Sequence, residues 1–229
     1  MYTFTMPSGQ EVELRELTGV EESLITNRRL MQNGEGVDKV LFNCIVRIGD
    51  REALTQEDIM NLLSGDRMFV LVRLREISIG NEVELILTCP NANCGEEELV
   101  GVNIEELKVT PYGPEREHTI KLPRSGETVR YRLLDGKMER RLSDLQRQDK
   151  NMSIHAALLM RIIDVDGKPP TKMTTAQMVS ADLNALRHDI QRHEGGIDTQ
   201  VRANCPVCGA KIVTRLEAEP TFLFPEARS

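Results

Sequence analysis

Two short cysteine loops contain the residues of this sequence that are best suited to chemistry. The first is Cys89-Pro90-Asn91-Ala92-Asn93-Cys94-Gly95 and the second is Cys205-Pro206-Val207-Cys208-Gly209. In each loop, which we call a knuckle, proline follows the first cysteine and glycine follows the second. Proline fixes φ, and glycine permits the positive φ of a tight turn. Because a structural Zn²⁺ usually takes four ligands, we expect one structural zinc site formed by Cys89, Cys94, Cys205 and Cys208.

The distance between the knuckles along the chain is unusual. The inner spacings, C-x4-C and C-x2-C, are typical of zinc knuckles, but zinc ribbons place their pairs about 15–20 residues apart. Here a domain's length of chain intervenes. Three alternatives stay open: structural turns whose thiols never meet, a redox pair at Cys205 and Cys208, or another metal or cluster on the same thiolates. The fifth cysteine, Cys44, lies in an apolar run and is predicted to be a buried core thiol.

Composition narrows the class of protein. The chain has 229 residues, a formal charge of −7, 40% hydrophobic residues and 3% aromatic residues without tryptophan. The negative charge argues against sequence-independent binding of nucleic acid. The scarcity of aromatic residues leaves few side chains on which the bases of a single strand could stack. No apolar window is long enough for a membrane helix, and the first residues lack the form of a signal peptide. Paired knuckles with a leftover thiol favour a reducing cytosol.

We find no catalytic set in the sequence. The histidines, His118, His155, His188 and His193, are scattered and are expected to be surface or cap residues. The segment Asp164–Gly167 begins like a calcium loop, but Thr175 stands where the twelfth-position glutamate is required. No nucleophile elbow and no phosphate-binding glycine loop occurs. We therefore expect a protein that is not an enzyme and has no small-molecule substrate.

The elements that must position the first knuckle begin with a hairpin. Alternating apolar residues around Pro7-Ser8-Gly9 predict two antiparallel strands. Thr18 and Glu21 form a capping box for the helix that follows. Further helices are predicted at 37–48 and 55–63, and strands flank the knuckle. The run 68–79 is also predicted to be a helix from its length and charge spacing, although its β-branched residues favour a strand.

The second half of the chain repeats this order. The hairpin recurs with Pro123 for Pro7 and Gly126 for Gly9, Asp135 takes the place of the cap, and helices are predicted at 137–148, 154–163 and 182–193 before the second knuckle. We predict an α+β fold with an internal duplication, in which residues 1–110 are the first repeat and residues 111–229 are the second repeat with a C-terminal tail. If the halves pack about a pseudo-twofold axis, each contributes one knuckle to a zinc-ribbon-like Cys₄ site. The alternative is that helix–turn–strand patterns recur independently, as they do in many α+β proteins.

The tail contains two of the five phenylalanines in the proline-bounded segment 220–225. Such a segment either docks on a partner protein as an anchor or folds back onto the second half.

Two stretches carry a resemblance to a known family. The opening hairpin, Met6-Pro7-Ser8-Gly9 to Arg15-Glu16-Leu17-Thr18-Gly19, and the run Leu62-Leu63-Ser64-Gly65-Asp66-Arg67-Met68-Phe69-Val70-Leu71 before a Cys-Pro knuckle resemble the T-even-type bacteriophage baseplate hub and assembly proteins. The resemblance covers residues 4–100 well and the remainder loosely, and the hairpin also occurs in phage tail assembly chaperones. It implies a structural or assembly role in a contractile tail, synthesis in the host cytoplasm, a place in the virion baseplate and other tail proteins as partners.

Residues and resemblance together lead to one expectation and two alternatives. We expect a zinc-stapled, non-enzymatic adaptor of the baseplate. The alternatives are a transient tail assembly chaperone that is absent from the mature virion and a zinc-ribbon nucleic-acid-binding protein, which the charge disfavours.

Overall fold

The computed structural model describes residues 1–148, 154–217 and 220–225 as a mixed α/β fold with 40% helix and 27% strand. The elements up to the first knuckle and its return strand are β1 (Tyr2–Thr5), β2 (Glu11–Leu14), α1 (Gly19–Thr26), α2 (Arg28–Gln32), α3 (Glu35–Cys44), β3 (Ile45–Ile48), α4 (Gln56–Met60), α5 (Ser64–Ser78), β4 (Glu82–Thr88) and β5 (Glu97–Asn103). The elements that follow are β6 (Val109–Thr110), β7 (Glu117–Lys121), β8 (Thr128–Arg132), α6 (Gly136–Gln148), α7 (Ile154–Arg161), β9 (Ile162–Val165), α8 (Thr174–Gln177), α9 (Ser180–His193), β10 (Gly196–Ile197), β11 (Gln200–Asn204), β12 (Lys211–Arg215) and α10 (Pro220–Leu223).

Local sequence signals correctly predicted the hairpins and the helix caps. Strands β1 and β2 pair antiparallel across a turn in which Gly9 has a φ of +82°. Thr18 and Glu21 form the complete capping box of α1. In the second half, Asp135 accepts a hydrogen bond from the backbone amide of Met138 at 2.9 Å, as expected for the cap of α6.

The helices predicted at 37–48 and 154–163 are too long. In both places the helix ends early, and the last residues form a strand, β3 and β9 respectively. These β-branched residues gain ladder hydrogen bonds by pairing with the second strand of the neighbouring hairpin. Each hairpin thereby becomes a three-stranded antiparallel sheet, ordered β1-β2-β3 and β7-β8-β9.

The two sheets share details beyond strand order. The pairing of the second and third strands shifts register between Glu13 and Leu14 in one sheet and between Arg130 and Tyr131 in the other. A further long helix packs beside each sheet, α5 for the first and α9 for the second. Asp66 near the start of α5 accepts a hydrogen bond from the backbone amide of Ser8 at 2.9 Å. Asp182 at the same helical position of α9 accepts hydrogen bonds from the amides of residues 124 and 125.

Apolar side chains form two cores. The larger core surrounds α3 and α5 and includes residues from the far end of the chain, among them Ile197, Val201, Ile212 and Leu216. The smaller core lies between β7-β8-β9 and helices α7 and α9. The segment that contains the second knuckle therefore packs on the core of the first.

A close backbone crossing joins α5 to the strand β10. A Cβ atom on Gly65 would lie 2.5 Å from the carbonyl oxygen of Gly195 and 2.7 Å from the Cα of Gly196. The amide of Gly65 donates a hydrogen bond to the Tyr112 hydroxyl at 3.0 Å. Only glycine fits here, so the first turn of α5 is where the second half lies against the first.

Arg67 forms a second link between the halves. It is 5% exposed, and its guanidinium contacts Asp38 on α3 and Glu139 on α6. It also donates a hydrogen bond to the carbonyl oxygen of Ile59 at 3.2 Å. Gly136 leaves room for it, because a Cβ there would meet the guanidinium at 2.8 Å.

The C-terminal segment is part of the larger core. Phe222 is 6% exposed and Leu223 is 0% exposed, and α10 packs against α5. The predicted docking of this segment on a partner is therefore wrong. The predicted fold-back onto the second half is right only in part, because the segment packs mainly on α5 of the first half and meets the second half at residues 214–217.

None of the described helices combines the length and the apolar character needed to cross a membrane.

Candidate metal centre

Two β-ribbons present the knuckles. The first ribbon is β4–β5, with Cys89 immediately after β4 and Cys94 three residues before β5. The second ribbon is β11–β12, with Cys205 and Cys208 in the same places. Antiparallel pairing closes each ribbon at its knuckle, so each pair of thiols is held at the end of a stiff two-stranded arm.

Backbone hydrogen bonds fix the shape of each knuckle. The amide of Cys89 donates to the carbonyl of Glu96 at 2.8 Å, and the amide of Cys205 donates to the carbonyl of Ala210 at 2.8 Å. Gly95 and Gly209 have φ of +62° and +71°, a region that favours glycine. The glycine after each second cysteine is therefore required for the chain to turn into the return strand.

The four sulfur atoms meet at one point. All of them lie within 4.8 Å of one another, although the two loops are far apart in sequence. The Sγ atoms of Cys89 and Cys208 are 3.5 Å apart, and those of Cys94 and Cys205 are 3.7 Å apart. A tetrahedron with metal–sulfur bonds of about 2.3 Å has sulfur–sulfur edges of about 3.8 Å. A disulfide would require about 2.05 Å, so the spacing fits four ligands of one metal ion and not a pair of disulfides.

The electrostatics of the thiols also fit a cation. The backbone amide of Asn91 favours the Cys89 thiolate, but burial and the neighbouring thiols raise the pKa of Cys89 to about 12. The amide of Ala210 and the Cys89 thiol lower the pKa of Cys208 to about 7. Four thiolates cannot carry their charges side by side unless a cation balances them. Backbone amides that point at sulfur stabilise a thiolate more than a neutral thiol, so the knuckles suit thiolates whose charge a cation balances.

Burial is unequal across the cluster. Cys89 and Cys205 are buried, Cys94 is intermediate and Cys208 is exposed. Cys89 and Cys205 belong to the larger core and Cys94 packs against it, whereas Cys208 is exposed to solvent. A metal ion held here would connect the core to the surface and would be reached by chelators from the side of Cys208.

Cys44 is separate from the cluster, as the sequence predicted. It is fully buried at the end of α3, and burial raises its pKa to about 12. Its neutral thiol packs as an apolar group.

Outside the four cysteines, no group of metal-ligating side chains occurs in the part of the chain that the structure describes. The turn at Asp164–Gly167 uses its carboxylates internally: Asp164 contacts Arg130, and Asp166 accepts a hydrogen bond from the amide of Thr128. It is the plain turn that the sequence favoured.

Sequence reasoning missed one cluster of polar rings. His118 on β7 and His193 on α9 are stacked with ring centroids 3.9 Å apart. The Tyr131 hydroxyl donates a hydrogen bond to Asp189 at 2.8 Å and contacts Nδ1 of His193 at 2.9 Å. His118 is therefore a partly buried packing residue rather than a surface or cap residue, whereas His193 also contacts the carbonyl oxygen of Asp189 in the last turn of α9, as expected for a residue at a helix end. The alternation of β7 places His118 on the inner face of its strand, and that pattern was the available signal.

Comparison with known proteins identifies a family. A family model described as T4 bacteriophage base plate protein matches residues 1–118, which is just over half of the 229 residues. No curated protein and no solved structure matches the chain. The matched region contains the first sheet, helices α1 to α5 and the first knuckle, and it ends before the second.

Proposed function

This chain belongs to the T4 bacteriophage base plate protein family, and from that premise we propose that it is a structural or assembly component of a contractile phage tail baseplate. Family membership over residues 1–118 is the observation that carries this proposal. Its place is then the virion tail baseplate, after synthesis in the host cytoplasm. Its partners are other phage tail proteins.

The chain acts in this role as two related modules joined by a metal. We propose that residues 1–110 and 111–229 arose by internal duplication. The shared sheet order, the shared register shift and the paired roles of Asp66 and Asp182 support this proposal. Each module contributes one knuckle.

The metal in this proposal is structural Zn²⁺, held by Cys89, Cys94, Cys205 and Cys208 in a zinc-ribbon-like site. Four thiolates are a complete ligand set, which leaves no open coordination position for catalysis. The sulfur spacing described above supports the assignment. When bound, the ion stabilises the folded state because the unfolded chain does not hold the four thiolates together. The protein is then a rigid, non-enzymatic adaptor.

Metal analysis of the purified chain tests whether the four cysteines hold zinc. We expect one zinc per wild-type chain, and less than about one-tenth of that after Cys89→Ser or Cys205→Ser, because three thiolates hold zinc far more weakly than four. Cys44→Ala is the matched control, since it removes a thiol outside the cluster and should keep one zinc. Unchanged zinc in the two serine variants would contradict the site. If the purified chain instead contains iron and absorbs visible light, the same four cysteines hold an iron–sulfur cluster rather than zinc.

Mass spectrometry of purified virions tests the place in the baseplate. A stable component is present in mature particles at a fixed ratio to other tail proteins. The alternative, a transient tail assembly chaperone, is present in infected cells and absent from particles.

A zinc-ribbon nucleic-acid binder is the second alternative. Binding of this kind depends on phosphate contacts and weakens steeply with salt. A gel shift over a salt series should show no retained nucleic acid at physiological salt.

A further inference from the structure

The outer faces of the two ribbons carry exposed apolar side chains. Ile86 is 64% exposed and Leu99 is 50% exposed, and the two are direct cross-strand partners on β4 and β5. Val213 on β12 is 53% exposed. Inward-facing neighbours such as Val83 and Ile212 are buried in the larger core. An exposed apolar cross-strand pair on a well-anchored ribbon is typical of an interaction surface.

The two ribbons carry opposite charge. Residues 82–103, the acidic ribbon, contain five glutamates and no lysine or arginine, and three of the glutamates, Glu82, Glu84 and Glu97, share the face of Ile86 and Leu99. Residues 200–216, the basic ribbon, contain Arg202, Lys211 and Arg215 and no acidic residue. Among the described residues, none of these three cations forms a salt bridge. The positive charge of the basic ribbon is thus available to a partner.

The ribbons lie side by side and extend from the knuckles in the same direction. Strand β4 contacts β12, and residues 83–85 line one groove together with residues 214–217. Leu99 and Val213 occupy matching places, each five residues after the second cysteine of its knuckle. The surface therefore has an acidic half, a basic half and apolar side chains at matching heights on both halves.

We propose that this surface binds a second copy of the chain about a twofold axis. An axis that runs along the ribbons, between two facing copies, places the acidic ribbon of each copy over the basic ribbon of the other. It also brings Ile86 of one copy towards Val213 of the other. A twofold interface must be complementary to itself, and a surface divided into acidic and basic halves fulfils this condition. Opposite charges across an interface also favour this orientation over others.

The size of the surface indicates which class of interface the dimer belongs to. Two strands of seven residues and two of five, at about 3.3 Å per residue and about 4.8 Å apart, cover about 380 Å² per copy. About 760 Å² in total is below the roughly 1,200 Å² at which stable specific interfaces begin and corresponds to a weak, transient contact. The dimer is therefore expected to be a weak one. This inference is independent of the phage assignment.

Sedimentation velocity of the full metal-loaded chain, from about 1 µM to about 1 mM, tests the dimer. We expect the mass to rise from one chain to two across this range. Ile86→Lys should raise the dissociation constant about 100-fold or more, because Ile86 enters a twofold interface twice. Val20→Lys is the matched control: Val20 is 62% exposed on α1, and the variant should dimerise like the wild type. A wild-type chain that stays monomeric throughout, or an Ile86→Lys variant that still dimerises normally, would overturn the proposal.

Exchanging an acidic and a basic residue between the two ribbons distinguishes this interface from other modes of dimerisation. Glu97 and Lys211 lie three residues after the second cysteine of their knuckles, and both are exposed. Glu97→Lys and Lys211→Glu should each weaken the dimer about tenfold, and the double variant should recover wild-type association, because like-charge contacts are replaced by opposite ones. A double variant weaker than either single variant would rule out the twofold pairing of acidic and basic ribbons. Zinc content and circular dichroism of every variant must equal those of the wild type.

Discussion

Substitution of Leu223 by alanine tests whether the C-terminal segment belongs to the core. Leu223 is 0% exposed, and α10 packs on α5. Removing three carbons from such a site costs about 3 kcal/mol, from lost burial and from the cavity that remains. At a slope of about 3 kcal/mol per molar urea, expected for a chain of this size, the unfolding midpoint should fall by about 1 M.

Two controls make this experiment decisive. Thr221→Ala lies in the same short helix at an exposed position and should change the free energy of unfolding by less than about 0.5 kcal/mol. Leu186→Ala removes an equally buried leucine from the smaller core and should cost about 3 kcal/mol. Both cores should be followed in saturating zinc by hydrogen exchange during the urea titration. If Leu186→Ala destabilises the protein and Leu223→Ala does not, the packing of the tail described above is refuted.

Two further predictions concern stability. Burial disfavours the charged form of Glu21, but hydrogen bonds from Arg15, Thr18 and Asn43 outweigh it and lower the carboxyl pKa from 4.5 to about 2. Because the folded-state pKa is the lower one, this contribution of ~3 kcal/mol is complete above pH 4.5 and is lost as pH falls towards 2; urea titrations should show Glu21→Gln with a flatter pH dependence than wild type in that window. Gly65→Ala should cost about 3 kcal/mol, because its Cβ would meet backbone atoms of β10 and the preceding residue; Gly101→Ala, with no atom within 4 Å of its Cβ, should be nearly neutral in the same thermal melts.

Features coded by a few neighbouring residues were predictable from the sequence. The Pro-Ser-Gly turn defined the first hairpin, Thr18 and Glu21 defined the start of α1, and the proline and glycine of each knuckle defined its loop. The convergence of the four cysteines was predicted from the number of ligands, because a structural zinc ion takes four and each knuckle supplies two.

Features that depend on contacts between residues distant in sequence could not be predicted from the sequence. Strands β3 and β9 follow their helices without a turn signal, and only pairing with the adjacent hairpin makes them strands. The stacking of His118 on His193 requires the packing of α9 on its sheet. Asp66 looks like an ordinary first-turn acid in the sequence, and only the fold shows that it binds the hairpin turn at Ser8. Nothing local distinguishes a tail that docks on a partner from one that completes its own core.

The larger core also sets an order of events on the ribosome. Cys89 and Cys208 are 119 residues apart, a stretch that takes about 6–24 s to synthesise at about 5–20 residues per second. During that delay the nascent first half exposes the surface that Val201, Ile212 and Leu223 later cover. The thiols of the first knuckle also lack the two cysteines of the second knuckle during this time. Completion of the larger core in the amino-terminal half must therefore await synthesis of residues 197–223, and a ribosome that stalls before them leaves a partly folded intermediate with exposed apolar surface.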